Sequence, residues 1–149
     1  MPTIAQLEAI AYSPTMSYFG TSPHSQETAM LNIHYLHHVA IAITDLARAK
    51  AFYGGVLELT ELPIRGIDSN RAWYQAGPCQ VNLIVKDKAD PASPRHVALC
   101  VDSIRKARRA LEEKGIQLTE TTQVSNINRF FFQDPDGNRL EIVCPIGQG

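Results

Sequence analysis

His38-Val-Ala-Ile-Ala-Ile-Thr-Asp45 and His96-Val-Ala-Leu-Cys-Val-Asp-Ser103 read as one strand written twice, at an offset of 58. Three positions are identical, and three more exchange one apolar residue for another. A repeat of this kind points to two copies of one supersecondary unit. The segments after the two strands also align. Leu46, Ala49 and Tyr53 fall on Ile104, Ala107 and Leu111, spaced i, i+3, i+7 as on one face of a helix. Thr44 or Asp45, and Asp102 or Ser103, are suitable N-caps. Gly115 is placed to end the second helix, and Gly54-Gly55 weakens the end of the first.

Strand-like runs come after each helix: 57–64, 72–75 and 80–85 in the first copy, then 116–121, 129–133 and 139–143 in the second. Gly77-Pro78 and Asp134-Pro-Asp-Gly-Asn138 are turn signals inside the copies, and residues 86–94 link them. The order predicts an α+β fold of two tandem βαβββ modules, about 34–86 and 94–146. Residues 1–29 are rich in Ser, Thr, Pro and Ala and contain no Lys or Arg. A poorly structured segment over 1–30, ahead of a domain over 31–149, is expected from that composition.

The chain has 149 residues, with 14 basic and 15 acidic side chains and a formal net charge of −1. That balance gives no electrostatic attraction to nucleic acid or an anionic membrane, so a small molecule or another protein is the expected partner. Cys79, Cys100 and Cys144 are too few and too scattered for a disulfide framework or a paired-cysteine metal site. No run is long enough to span a membrane. The first 29 residues lack the basic start of a secretory signal, so a cytoplasmic protein is expected.

Residues two apart in a strand share a face. His38, Ala40 and Ala42 therefore point one way, as do His96, Ala98 and Cys100. An imidazole at the head of each equivalent strand, with small side chains after it, predicts a concave face with ligating groups at its edge. Glu141 lies in Arg139-Leu-Glu-Ile-Val143, where an acid among apolar neighbours is costly to bury unless it meets a cation. The plainer alternative is an edge or solvent-facing glutamate, paired with Arg139, which shares its face. The counterpart of Glu141 in the first copy is Asn82, at an offset of 59. If the repeats pair about a pseudo-twofold axis, His38, His96, Asn82 and Glu141 converge. Two neutral imidazoles and a carboxylate suit one divalent ion such as Zn, Ni, Mn, Co or Fe(II), with positions open for water or substrate.

The quoted strands, the Ala-x-x-Phe-Tyr53 after the first, and Phe131-Phe-Gln-Asp-Pro-Asp-Gly-Asn-Arg-Leu-Glu141 resemble the vicinal oxygen chelate superfamily over residues 34–146. That superfamily includes glyoxalase I, extradiol dioxygenases, fosfomycin-resistance transferases and bleomycin-binding proteins. The resemblance implies paired βαβββ modules curled around a metal held by His38, His96 and Glu141. It also implies a homodimer in which the first His comes from one chain and the later His and Glu from the other. Glu141 is then both ligand and candidate base. The implied chemistry is isomerase or lyase proton transfer on a substrate chelated through adjacent oxygens. Fe(II) dioxygenation and metal-assisted binding or resistance are the alternatives. Asn82 stands where glyoxalase I usually has a fourth, acidic or Gln ligand, so it is a weak fourth ligand or a neighbour of the site. Ala40 and Phe131 replace polar residues of the fosfomycin transferases.

Ala40, Trp73, Cys100, Arg129 and Phe131 are the expected pocket residues. Arg129 is the favoured anchor for an anionic substrate group, with Arg139 expected to orient Glu141. His37 is expected to point away from His38. Arg105, Lys106, Arg108 and Arg109 form a solvated helix face. Asp134 and Asp136 are read as turn formers.

Overall fold

Strand β1 (His38–Ile43) sorts its side chains by alternation: Val39, Ile41 and Ile43 face the core, while His38 and Ala40 stay exposed. It belongs to a computed structural model that describes residues 31–63, 70–122 and 126–146. The chain divides into two units, Met1–Ile33 and His34–Gly149, and the second contains both modules. The expectation for residues 1–30 lies outside the described residues.

Asp45 caps α1 (Leu46–Lys50), its side chain accepting from Arg48 N at 2.9 Å. The helix then widens into a π-helical turn over Ala51–Val56, the stretch that contains Gly54-Gly55. Leu57 N donates to Phe52 O at 2.9 Å, and Glu58 takes a left-handed φ of 57°. Lys114 from the second module holds this turn through the carbonyls of Gly55 and Val56 and the Glu58 carboxylate. The helix exit uses up the start of the strand expected at 57–64, so β2 is only Thr60–Leu62. Strands β3 (Arg71–Ala76) and β4 (Cys79–Val85) complete a sheet of order β1-β4-β3-β2, with β1 parallel to β4.

The second module repeats this with β5 (Val97–Cys100), α2 (Ile104–Glu113), β6 (Ile127–Gln133) and β7 (Arg139–Pro145), in a sheet of order β5-β7-β6. The strand expected at 116–121 shrinks to a single bridge, Thr119 with Phe131. Beyond it Glu120 turns to a two-bond ion pair with Arg108 of α2, and the chain leaves β6 after one ladder step. The register verifies the repeat: Asn82 lies opposite Ala40, and Glu141 lies opposite Ala98. Ala40 and Ala98 are themselves repeat equivalents, so Asn82 and Glu141 hold the same place in the two sheets.

One core serves both modules. Ile43, Phe52, Tyr53, Tyr74 and Leu83 join Phe130, Phe132, Leu140 and Ile142 in a single buried cluster. Each such side chain contributes about 1.5–3 kcal/mol on burial. The Asp134–Asn138 turn adds a polar fastening. Asp136 binds Thr44 N and the Arg48 guanidinium, and Asn138 Nδ2 donates to Ala42 O at 2.8 Å. No helix among the described residues is long and apolar enough to cross a membrane.

Candidate metal centre

Glu141 sits mid-strand in β7, between β5 and β6, and is only 4% exposed. A carboxylate this deep requires compensation. It has two partners, one on each oxygen. His96 Nε2 lies 2.9 Å from Oε2, and Arg129 Nη1 lies 3.1 Å from Oε1. His96 stands just ahead of β5, and its ring meets the edge of Phe131 at 5.1 Å. Its Nδ1 is 3.0 Å from the carbonyl of Pro94.

Those contacts define what the imidazole can do. With Nδ1–H donating to Pro94, a neutral ring presents a lone pair at Nε2, the arrangement that orients metal-binding histidines. A lone pair facing a carboxylate oxygen is repulsive unless a second proton or a cation lies between them. Two donors sharing one ion at about 2.1 Å and a right angle sit about 3 Å apart. The observed 2.9 Å has that spacing, so the pair fits a divalent metal with N/O preference.

His38 lies elsewhere. It is exposed, its Nδ1 is 3.0 Å from His37 Nδ1, and its ring meets Trp73 at 5.1 Å. The expected separation of His37 and His38 onto opposite faces therefore does not keep their rings apart, since both stand at the entry of β1, an edge strand that pairs with β4 on one side. Among the described residues, no three His, Cys, Asp or Glu side chains gather into a group that could hold a metal. A single chain thus joins His96 to Glu141 and leaves His38 apart. Asn82 is 4% exposed, beside Ala40 and Trp73, and its Oδ1 has no hydrogen-bond partner. Ala40 and Cys100 are both exposed on their strands.

The arginine that meets Glu141 is not the one expected from sequence proximity. Arg129, not Arg139, holds Glu141, because β6 and β7 are antiparallel and Arg129 reaches across from the neighbouring strand. Arg139 stacks over the Phe131 ring, its guanidinium carbon 3.8 Å from the centroid. The contribution of Pro94 was not legible in the sequence, since a backbone acceptor leaves no side-chain signature.

Residues 35–142 match the family described as the Glyoxalase/Bleomycin resistance protein/Dioxygenase superfamily. The chain belongs to that superfamily. It is 32% identical over 127 residues to the uncharacterized protein YaeR of Escherichia coli (strain K12), covering 76% of this chain and 98% of YaeR. A Bacillus anthracis glyoxalase family structure superposes with a TM-score of 0.73 at 26% identity, covering 78% of this chain and 99% of that one. TnmS3, an antibiotic binding protein from Streptomyces sp. CB03234, shares the fold with a TM-score of 0.66 at 18% identity, covering 78% of this chain and 99% of that one. The superfamily fold accounts for the paired modules and for the equivalence of Asn82 and Glu141 derived from the ladder.

Proposed function

We propose that this protein is a metal-dependent enzyme acting on a small molecule that chelates the metal through two adjacent oxygens. The observation that carries the reading is the 2.9 Å approach of His96 Nε2 to the buried Glu141 carboxylate. The third ligand is His38 from a second copy of the chain, so the working unit is a homodimer with two shared sites. The bound divalent ion supplies Lewis acidity toward the substrate oxygens. His96 and Glu141 hold and orient it, and Pro94 O fixes the His96 tautomer. Glu141 accepts the proton from the hydroxyl-bearing carbon next to the substrate carbonyl and returns it to the former carbonyl carbon, while the hydroxyl proton passes to the former carbonyl oxygen, so the net reaction is an isomerisation. Ala40, Cys100, Trp73 and Phe131 line the space around the substrate.

A second reading, a binding or resistance protein in which the metal only anchors a ligand, is favoured by one residue. Asn82 stands where a second acid would supply another base, and antibiotic binding in TnmS3 occurs on the same fold. Oxygen uptake with Fe(II) would instead identify a dioxygenase.

Mixing two inactive variants tests the shared site. His38→Ala and Glu141→Ala homodimers each lose metal. Refolded together, they regain one intact site per hybrid dimer, read by elemental analysis. Recovery of no metal in the mixture would sink the shared site, and a wild type that takes up no divalent metal would sink the metal centre. Turnover of the methylglyoxal–glutathione adduct, by loaded wild type, separates the enzyme from the binding protein.

A further inference from the structure

The face around Glu141 carries more positive than negative charge. Arg129, Phe131, Arg139 and Glu141 lie on the same side of the β6–β7 pair, two apart within each strand. The Phe131 ring lies between two guanidiniums, with Arg139 at 3.8 Å and Arg129 at 5.6 Å from its centroid. Among the described residues Glu141 is the carboxylate on this side of the β6–β7 pair, and of the two arginines it pairs with Arg129, through Nη1. Arg139 forms no ion pair with a carboxylate among the described residues. The Nε of Arg129 is buried and has no hydrogen-bond partner.

A dry guanidinium N–H without an acceptor is an expense the fold sustains for no structural gain. A guanidinium also takes a carboxylate on two parallel N–H groups, and the Nε edge of Arg129 is the edge that Glu141 leaves open. Adding a divalent ion beside Glu141 makes the local excess of positive charge larger still, since both arginines remain. The ligand that balances this face is an anion.

Resting on the metal-centre reading, we infer that the substrate is a small carboxylic acid whose carboxylate, additional to the two chelating oxygens, docks on Arg129, with Arg139 as the second positive wall. Arg129 is held by Glu141 in the free protein. When Glu141 serves as a ligand and the substrate enters, the guanidinium turns its Nε edge to the substrate carboxylate. The Phe131 ring, stacked under Arg139, keeps the face flat and dry behind it. This makes Arg129 a specificity residue rather than only a support for Glu141.

Two chelators that differ by one carboxylate test the inference. Lactate chelates through a hydroxyl and a carboxylate, and malate does the same with one carboxylate to spare. The protein is loaded with Co(II), elemental analysis records its metal content, and the visible spectrum follows each titration. Wild type binds malate about tenfold more tightly than lactate, or better, as expected for a charge-assisted pair. Arg129→Gln brings that ratio to within about twofold, both affinities being measured on the cobalt-loaded fraction of the variant. Arg129→Lys keeps the charge beside Glu141 but not the fork, and gives an intermediate ratio even if the Gln variant folds poorly. An unchanged ratio in a cobalt-loaded Arg129 variant, or no malate preference in wild type, overturns the carboxylate subsite and leaves the metal centre standing. A wild type without bound cobalt overturns both.

Discussion

Tyr53 Oη donates to Asp134 Oδ2 across 2.8 Å, joining the helix of the first module to a turn of the second. Asp134 is 5% exposed and also accepts from Asp136 N, Asn138 N and Asn138 Nδ2. The turn is therefore a joint between modules as well as a connection between β6 and β7. Tyr53→Phe removes one of four donors to a buried carboxylate and should lower unfolding stability by about 1–2 kcal/mol. Asp134→Ala strands all four donors and should lower it by about 3 kcal/mol or more. Urea denaturation of the two variants beside wild type measures both, and equal losses would contradict the assignment of Asp134 as the hub.

Alkaline pH should unfold the protein through its buried phenols. Burial, with Glu61 as the second cause, pushes Tyr74 up to about 12 from the ordinary 10.0. Burial, then the Asp134 carboxylate, raises Tyr53 further. Both folded values lie above the unfolded one, so the native state retains protons that the unfolded chain releases. Their contribution is complete below about pH 10 and is lost as pH climbs from about 10 toward 12 and beyond. Denaturation midpoints measured across that window should fall steadily, and Tyr74→Phe should flatten the early part of the fall.

Removing a metal ligand should separate metal uptake from folding. His38 is exposed, and His38→Ala should shift stability by no more than about 0.5 kcal/mol while abolishing metal binding. Glu141→Gln should also abolish uptake, but it leaves the Arg129 guanidinium short of its counter-charge and should cost about 1–3 kcal/mol. Thermal melts paired with elemental analysis distinguish the two patterns. Metal retained by the His38 variant would remove it from the ligand set.

Asn82 offers the opposite experiment. Its Oδ1 is buried without a partner, so replacing it with Leu should be neutral or stabilising by about 1 kcal/mol. Asn82→Glu should lower stability of the metal-free protein by about 2 kcal/mol or more, because a buried carboxylate lacks a counter-ion. Loaded with metal, the same variant should regain that loss as a fourth ligand forms. Calorimetric metal titrations read the gain, and a variant destabilised equally with and without metal would place residue 82 outside the centre.

The repeated strands beginning at His38 and His96 determined the tandem α+β modules from sequence alone, because alternation and helical spacing are local properties, although the second module keeps its expected 116–121 strand only as one bridge. The equivalence of Asn82 and Glu141 was legible for the same reason: their offset of 59, one more than that of the leading strands, is matched in the strand register. The strands at 57–64 and 116–121 are shorter than their sequences suggest, since their lengths depend on partners distant in the chain. Lys114 shapes the first exit, and the Arg108–Glu120 pair draws the chain away in the second. The arginines show the limit most clearly. Arg139, two residues from Glu141, is its natural partner by sequence proximity, yet an antiparallel neighbour brings Arg129 to the carboxylate instead. Sequence alone selected the donor types and the strand faces that carry them. Only the tertiary structure decided which donors meet, because contacts between strands depend on register and side-chain reach. Within one chain it brings His96 to Glu141 and holds His38 beside Trp73.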